Sequence, residues 1–331
     1  MEECLRIITD IGIQIRKRLT ESLNLQSNEY KSAVHQYSHD DVIYQIDKDV
    51  EDLILLGLKD DAEKAGGVVL VAEGLTNMVF PIGITPESAR YQVIIDPIDG
   101  TRGLMYNKRS AFYLAGIAPN KGQHTRLSDI EAAVMVELPT AKSYLADTFS
   151  AIKGKGVKGW RTNLFDNSEE MLMINPSRAK TIYGGFAQFS RFFSPGKDII
   201  ATIEEKMIQN LFPSAPEGVA FLFEDQYIST GGQFYELLMG RDRFTADIRA
   251  ALYAQFRKDG SRTGLSCHPY DLCASLILTE AGIPVLDMYG QPIDGGFNTT
   301  DQLNWIAYAN QHIQNEVEPI LLKLLSEYRL M

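Results

Sequence analysis

The stretch "VIIDPIDGTRG", residues 93–103, runs from an apolar strand-like string into two carboxylates, a proline, a glycine and a threonine. Two ionised carboxylates held ~4 Å apart repel by about 4 kcal/mol at an effective dielectric of ~20, so Asp96 and Asp99 call for a positive partner. The string delivers Asp96 to the end of a strand, and Pro97, which has no N–H, is expected to stop further ladder pairing. The turn can then aim Asp96, Asp99 and the Ile98 carbonyl at one point, and hard oxygens of this kind suit Mg²⁺. Gly100 lets the backbone approach a ligand, and the amides of Gly100 and Thr101 can face a phosphate. An Asx-turn with solvated carboxylates accounts equally well for an isolated D-x-x-D.

Other acids stand in comparable places. Glu73, in "LVAEGL", closes another apolar strand, and Asp271, in "HPYDLCASLILTEAG", falls in the first turn of an amphipathic helix, where the helix dipole alone would favour an acid. Around these segments Cys4, Ile8, Ile11, Ile15 and Leu19 mark one face of a helix, and Val50, Leu53, Ile54 and Leu58 mark a second after Asp47. Strands are predicted at 68–72, 91–96, 111–118 and 131–138, giving helices on a meandering, mostly antiparallel sheet. Beyond residue 170 helices are expected over 198–212 and 270–282, a strand in "VAFLFE" (219–224), and a closing helix that Pro319 should kink or restart. The division expected is an N-terminal α+β half, 1–170, and a C-terminal α/β half, 171–331.

With 43 acidic against 32 basic side chains the net charge is −11, which argues against a nucleic-acid backbone or an anionic membrane as main partner. A phosphorylated small molecule is still compatible, because a local metal reverses the field at a site. No uncharged apolar run is long enough to span a bilayer, and the charged N-terminal stretch does not read as a signal peptide. Cys4, Cys267 and Cys273 form no disulfide framework, Cys267 and Cys273 read as buried thiols, and a reducing cytoplasm fits. "GKGVKG" (154–159) imitates a dinucleotide-binding loop but lacks the flanking strand and helix, so it reads as a glycine-rich hairpin.

Glu73, "DPIDGT" and "PYDLCASLILTEAG" occur in the order and spacing of the inositol monophosphatase family, whose wider superfamily includes fructose bisphosphatases and nucleotide 3′-phosphatases. The resemblance runs from Asp47 to "IAYANQHI" and implies a layered αβαβα sandwich. It also implies that Glu73, Asp96, the Ile98 carbonyl, Asp99 and Asp271 hold two or more Mg²⁺ ions. Asp47, matching the family's acid in its "VTxxD" segment, would act with Thr101 to hold and deprotonate the attacking water. The implied reaction is in-line hydrolysis of a small phosphomonoester, without a covalent phosphoenzyme. Many members dimerise, so a homodimer is expected.

Several positions depart from the inositol-specific pattern. The usual Glu-Glu pair is Glu73-Gly74, and Gly264 stands where a ring-binding glutamate is common. The small turn of the second half is matched by "STGG" (229–232), which makes Gly231, Gly232 and Gly264, with Asp99, the expected substrate wall. A wall without the hydrogen-bonding acid should discriminate poorly for an inositol ring. Arg102, Lys108 and Arg109 follow the catalytic loop, where they can meet a second phosphate or stay solvated. Broad activity on sugar and inositol phosphates, or a preference for a bisphosphate such as a nucleotide 3′,5′-bisphosphate, is therefore expected. Two other readings compete. A haloacid-dehalogenase-type phosphatase needs one residue between its aspartates, whereas here two intervene. A ligand-sensing pseudophosphatase is disfavoured because every expected metal acid is present.

Overall fold

Two helices, α1 (Glu2–Leu25) and α2 (Gln45–Ala65), are separated by a ribbon of β1 (Val34–Tyr37) and β2 (Val42–Tyr44). Next in the chain come β3 (Val68–Ala72), β4 (Met78–Phe80), β5 (Tyr91–Asp99), the short helix α3 (Thr101–Met105) and β6 (Ala111–Pro119). The strands β7 (Ala132–Leu138), β8 (Leu145–Ile152), β9 (Val157–Asn163) and β10 (Glu169–Met171) complete an eight-stranded sheet in the order β10-β9-β8-β7-β6-β5-β3-β4. A second sheet contains β11 (Gly185–Phe189), β12 (Leu222–Phe223), β13 (Asp242–Asp247), β14 (Val285–Leu286) and β15 (Trp305–Tyr308), ordered β12-β11-β13-β15-β14. Its helices are α4 (Lys197–Leu211), α5 (Thr230–Leu238), α6 (Arg249–Lys258), α7 (Pro269–Leu272), α8 (Ser275–Glu280) and α9 (Gln311–Glu327). This computed structural model describes residues 1–25, 34–37, 42–75 and 77–331, with side chains at 1–22, 50–59, 61–75 and 77–331.

The layering follows from the two-residue period of strands, which sends neighbouring side chains to opposite faces. Val93 and Ile95 join a core with Ile8, Ile15, Ile54 and Leu58 of α1 and α2. Ile94, between them, joins a second core with Phe234 and Leu237 of α5, Leu272 of α7, Ile277 of α8 and Trp305 of the second sheet. Phe244, Ile306 and Tyr308 face away from that middle layer into a third core with Ile203 of α4 and Val317 and Leu321 of α9. The result is a helix–sheet–helix–sheet–helix sandwich, the expected architecture. The central strands β3, β5 and β6 are buried on both faces nearly throughout, which explains their near-continuous apolar runs.

Four local expectations are corrected. Pro97 does not end its strand: β5 continues to Asp99 and takes up the proline in a bulge against β6. Helix α9 runs unbroken through Pro319, because the proline and Asn315, whose carbonyl loses its partner, both lie on the exposed side. The helix expected over 270–282 is two helices, broken at Cys273 where the chain lies against Gly116 so closely that a Cβ there would sit 2.6 Å from the Cys273 carbonyl oxygen. "VAFLFE" contributes only Leu222–Phe223, as an edge strand with one neighbour. The 154–159 stretch is the predicted hairpin, joining β8 to β9 with Gly154 and Gly156 at positive φ. All three cysteines are buried free thiols, and among the described residues no helix is long and apolar enough to cross a membrane.

Candidate metal centre

The bulge in β5 decides what Asp96 and Asp99 can do together. Residues three apart on a regular strand point to opposite faces. Here Asp96 pairs with Leu114 and Asp99 with Phe112, so three steps on β5 match two on β6. The extra residue reverses the alternation and returns Asp99 to the side of Asp96. Strand β3 lies parallel to β5 with Ala72 opposite Ile95, and the Glu73 N–H donates to the Ile95 carbonyl at 3.2 Å. Parallel pairing thus brings the C-terminal ends of both strands, and Glu73 with Asp96, to one edge.

Asp271 arrives from α7. Pro269 starts α7 and the Asp271 carboxylate accepts the His268 N–H at 2.6 Å, closing a capping box that fixes the side chain. One oxygen from each of Asp96, Asp99 and Asp271 lies within 4.8 Å of the others. Glu73, Ile98, Gly100 and Thr101 line the same cavity. The Thr101 hydroxyl donates to the Ile98 carbonyl at 2.8 Å, and the Ile98 N–H donates to Asp96 at 3.1 Å, which makes the 96–101 turn one hydrogen-bonded unit. Gly100 carries φ +97°, a left-handed backbone that lets the chain leave β5 and start α3 at once.

Electrostatically this cluster is unsettled. Burial, then the charges of Glu73, Asp99 and Asp271, hold Asp96 well above the usual carboxylate range. Asp271 is raised well above it by burial and by Asp99, against the pull of the His268 N–H. Burial pushes Asp99 up to about 6, even though it accepts from Ser229 Oγ at 2.7 Å, from the Thr230 N–H at 3.2 Å and from the Gly231 N–H. Among the described residues no lysine or arginine pairs with any of these three carboxylates. Hard, mutually repelling oxygens that no lysine or arginine pairs with among the described residues, His268 Nδ1 standing 3.8 Å from Asp271, are the donor set of a divalent cation such as Mg²⁺.

The structure redistributes the other expected residues. Gly231 and Gly232 do not line the cavity; they form the first turn of α5, whose amides hold Asp99, and a Cβ at 231 would press to 3.0 Å from Asp99 Oδ2. Gly264 is also off the cavity, turned toward the Ser194 carbonyl and Tyr253, with 2.6 Å left between a built Cβ and that carbonyl oxygen. Arg109 pairs with Asp225 at 2.6 Å and lies 4.0 Å over the Tyr227 ring, and neither it nor Lys108 reaches the cavity, whereas Arg102 lines it. Asp47 sits in the first turn of α2, and its side chain lies outside the described residues.

The remaining wall was missed in the sequence. Arg249 is buried and gripped by Asp247 at 2.9 and 2.6 Å, donates to the Leu265 carbonyl at 3.0 Å, and stacks on Phe192 at 4.5 Å. The D-x-R spacing of Asp247 and Arg249 was its one local signal. Glu51, a helical turn beyond Asp47 and outside the cavity lining, is buried with its carboxylate over Gly74, next to Glu73 in the chain.

Fold and site together define a layered α/β protein with a buried, cation-ready acid cluster at the junction of its two sheets. No protein-family model and no curated protein matches the chain by sequence. Solved structures do match it along nearly its whole length. The extragenic suppressor protein SuhB from Bartonella henselae has a TM-score of 0.64 at 16% identity, covering 96% of this chain and 98% of that one. An IMPase from Thermotoga maritima gives 0.60 at 17%, covering 96% and 98%. Leishmania major fructose-1,6-bisphosphatase gives 0.64 at 12%, covering 99% and 93%. The chain therefore has the inositol monophosphatase-like fold, the one its motifs resemble.

Proposed function

We propose that this protein is a Mg²⁺-dependent phosphoric monoester hydrolase acting on a small phosphorylated metabolite. The observation that carries the reading is the meeting of Asp96, Asp99 and Asp271, from segments 172 residues apart (271 − 99), within 4.8 Å in one cavity, with no lysine or arginine paired to them among the described residues. These acids, with Glu73 and the Ile98 carbonyl, would hold two or more Mg²⁺ ions. When bound, the metal would supply Lewis-acid stabilisation of the phosphoryl and leaving oxygens and a lowered pKa for the attacking water. The protein's own part is positional. Thr101 holds the Ile98 carbonyl through its hydroxyl, and with Asp47 it would orient the water and take its proton. The turn at Gly100 and Thr101 would face the phosphate, while α5 keeps Asp99 aimed through three donors. A substrate with a second phosphate, such as a sugar bisphosphate or a nucleotide 3′,5′-bisphosphate, is favoured by one feature, the Arg102 side chain in the cavity wall. A homodimer in a reducing compartment completes the reading.

The test is phosphate release from a panel containing inositol 1-phosphate, fructose 1,6-bisphosphate and adenosine 3′,5′-bisphosphate. Release should require Mg²⁺ and stop in excess chelator, and the family resemblance adds inhibition by Li⁺. Full turnover in chelator would sink the mechanism, and silence across the panel would favour a ligand-sensing protein.

A further inference from the structure

A second cavity, of about 460 Å³, is lined by the C-terminal turn of α6 and the residues that follow α9, and it shares no lining residue with the cavity of the acid cluster. That volume is in the range small-molecule sites occupy. Arg257, Lys258 and Arg329 line it, and among the described residues none of the three side chains makes an ion pair or hydrogen bond. With 43 acidic against 32 basic side chains, this chain offers carboxylates in excess, so three unpaired cations at one cavity leave positive charge there for a ligand. The two acids in the same lining are already engaged. Asp294 pairs with Arg126 and accepts the Ser128 N–H at 3.1 Å, and Asp287 accepts the Tyr289 and Gln291 N–H groups at 2.8 and 2.9 Å.

Helix α6 gains from Arg257 and Lys258 in its last turn, which face the negative end of its dipole. The backbone of Arg329 has no such reward. It stands just past α9 at φ +57°, where its N–H donates to the Ser326 carbonyl and the Leu330 N–H to the Leu325 carbonyl, both at 3.0 Å. Glycine or asparagine is the usual occupant of that left-handed closing position, and an arginine strains it. The side chain is what the strain retains. Ile293, Leu303 and Tyr289, the last 61% exposed, add apolar surface to the same lining.

We propose that this cavity is a second ligand site, taking a small amphipathic anion: an apolar or aromatic body that carries a phosphate or carboxylate group. The three cations hold the anionic group by charge-assisted hydrogen bonds, and Tyr289 and Leu303 cover the body. Because the two cavities share no residue, the site stands whether or not the acid cluster hydrolyses phosphate.

The test is isothermal titration calorimetry of the full chain in excess chelator, with 1-naphthyl phosphate, inorganic phosphate and 1-naphthol as ligands. Naphthyl phosphate should bind about 10-fold or more tightly than either half of it, and less tightly as salt rises. Arg329→Asn, which keeps the left-handed backbone, should weaken it about 10-fold, and so should the Arg257→Gln, Lys258→Gln double variant, which keeps the helix. The melting temperature of Arg329→Asn should not fall, because asparagine adopts that backbone more readily than arginine. Arg102→Ala, in the other cavity, should leave the affinity unchanged. No binding of naphthyl phosphate, equal binding of naphthol, an affinity untouched by the cation variants, or its loss in Arg102→Ala each overturns the assignment. Phosphate release with Mg²⁺ is measured apart from all of these, so a failure of the phosphatase reading shows separately.

Discussion

Replacing Asp96 by asparagine should make the metal-free protein more stable and the metal response vanish. Asp96, Asp99 and Asp271 offer oxygens within 4.8 Å of one another. At an effective dielectric of ~20, two unit charges at that distance repel by about 3.5 kcal/mol. Protonation already relieves part of this, since burial and the neighbouring charges raise the carboxyl pKa values. The net gain on neutralising one acid is then about 1–3 kcal/mol. Asparagine keeps the side-chain oxygen that accepts the Ile98 N–H at 3.1 Å, so the turn survives the change. For a chain of this length each kcal/mol is worth about 2 °C, predicting a rise of about 2–6 °C in chelator near pH 8. Saturating Mg²⁺ should raise the wild-type melting temperature by about 5 °C at a hundredfold excess over Kd, and leave the variant unmoved and inactive. Differential scanning calorimetry with and without Mg²⁺ reads all of this. An Asp96→Asn protein that melts below wild type in chelator would show that the carboxylate is structural, and the argument from repulsion would be refuted.

Thr101→Ala should keep the Mg²⁺-induced melting shift but lower turnover by about 10²- to 10⁴-fold, with Thr101→Ser restoring it; normal turnover in the alanine variant would remove Thr101 from the proposed chemistry. Arg102→Ala should raise KM about 10-fold on fructose 1,6-bisphosphate, while Arg109→Ala, which breaks the pairs with Asp225 and Glu236 and the stack on Tyr227, should leave it unchanged. Equal effects from the two would mean that the cavity wall is drawn wrongly. Asp242 offers a pH test away from the site: burial first, then Glu236 and Asp225, raise its carboxyl to about 7, against the hydrogen bond from Gln188. A raised folded-state pKa means that the native state holds the proton longer than the unfolded chain, so stability present below about pH 4 is lost as pH rises toward 7. The melting advantage of Asp242→Asn over wild type should accordingly grow between about pH 4 and pH 8, and a flat difference would contradict the shift.

Much of this protein is local and was readable as such. The alternation in 91–96 and 111–118, the spacing of Ile8, Ile11 and Ile15, and the acids closing "LVAE" and "VIID" are properties of a few consecutive residues, and they specified strands, helices and candidate ligands. Where local rules met tertiary packing they lost. Pro319 should have interrupted α9, but Val317, Leu321 and Leu324 bury on the far side of the second sheet, and the broken hydrogen bond faces water. Pro97 should have ended β5, yet β6 keeps pairing and absorbs it as a bulge, and that bulge turns Asp99 toward Asp96.

The candidate site divides in the same way. Residue type and spacing nominated Glu73, Asp96, Asp99 and Asp271, because a carboxylate at a strand end or a helix start needs a reason. Their assembly depended on the parallel register of β3 on β5 and on the delivery of Asp271 by α7, contacts between distant segments that no short window encodes. The substrate wall was decided almost wholly in three dimensions. Gly264 and Ser266 are two residues apart in one loop, and which of them meets the cavity depends on Ser194, Tyr253 and the Arg249 clamp around them. Sequence alone determined the chemistry the chain could offer, through side-chain type and local period. Only the packing of remote segments decided where that chemistry converges, because a carboxylate's pKa and a hydroxyl's partner are set by neighbours in space rather than along the chain.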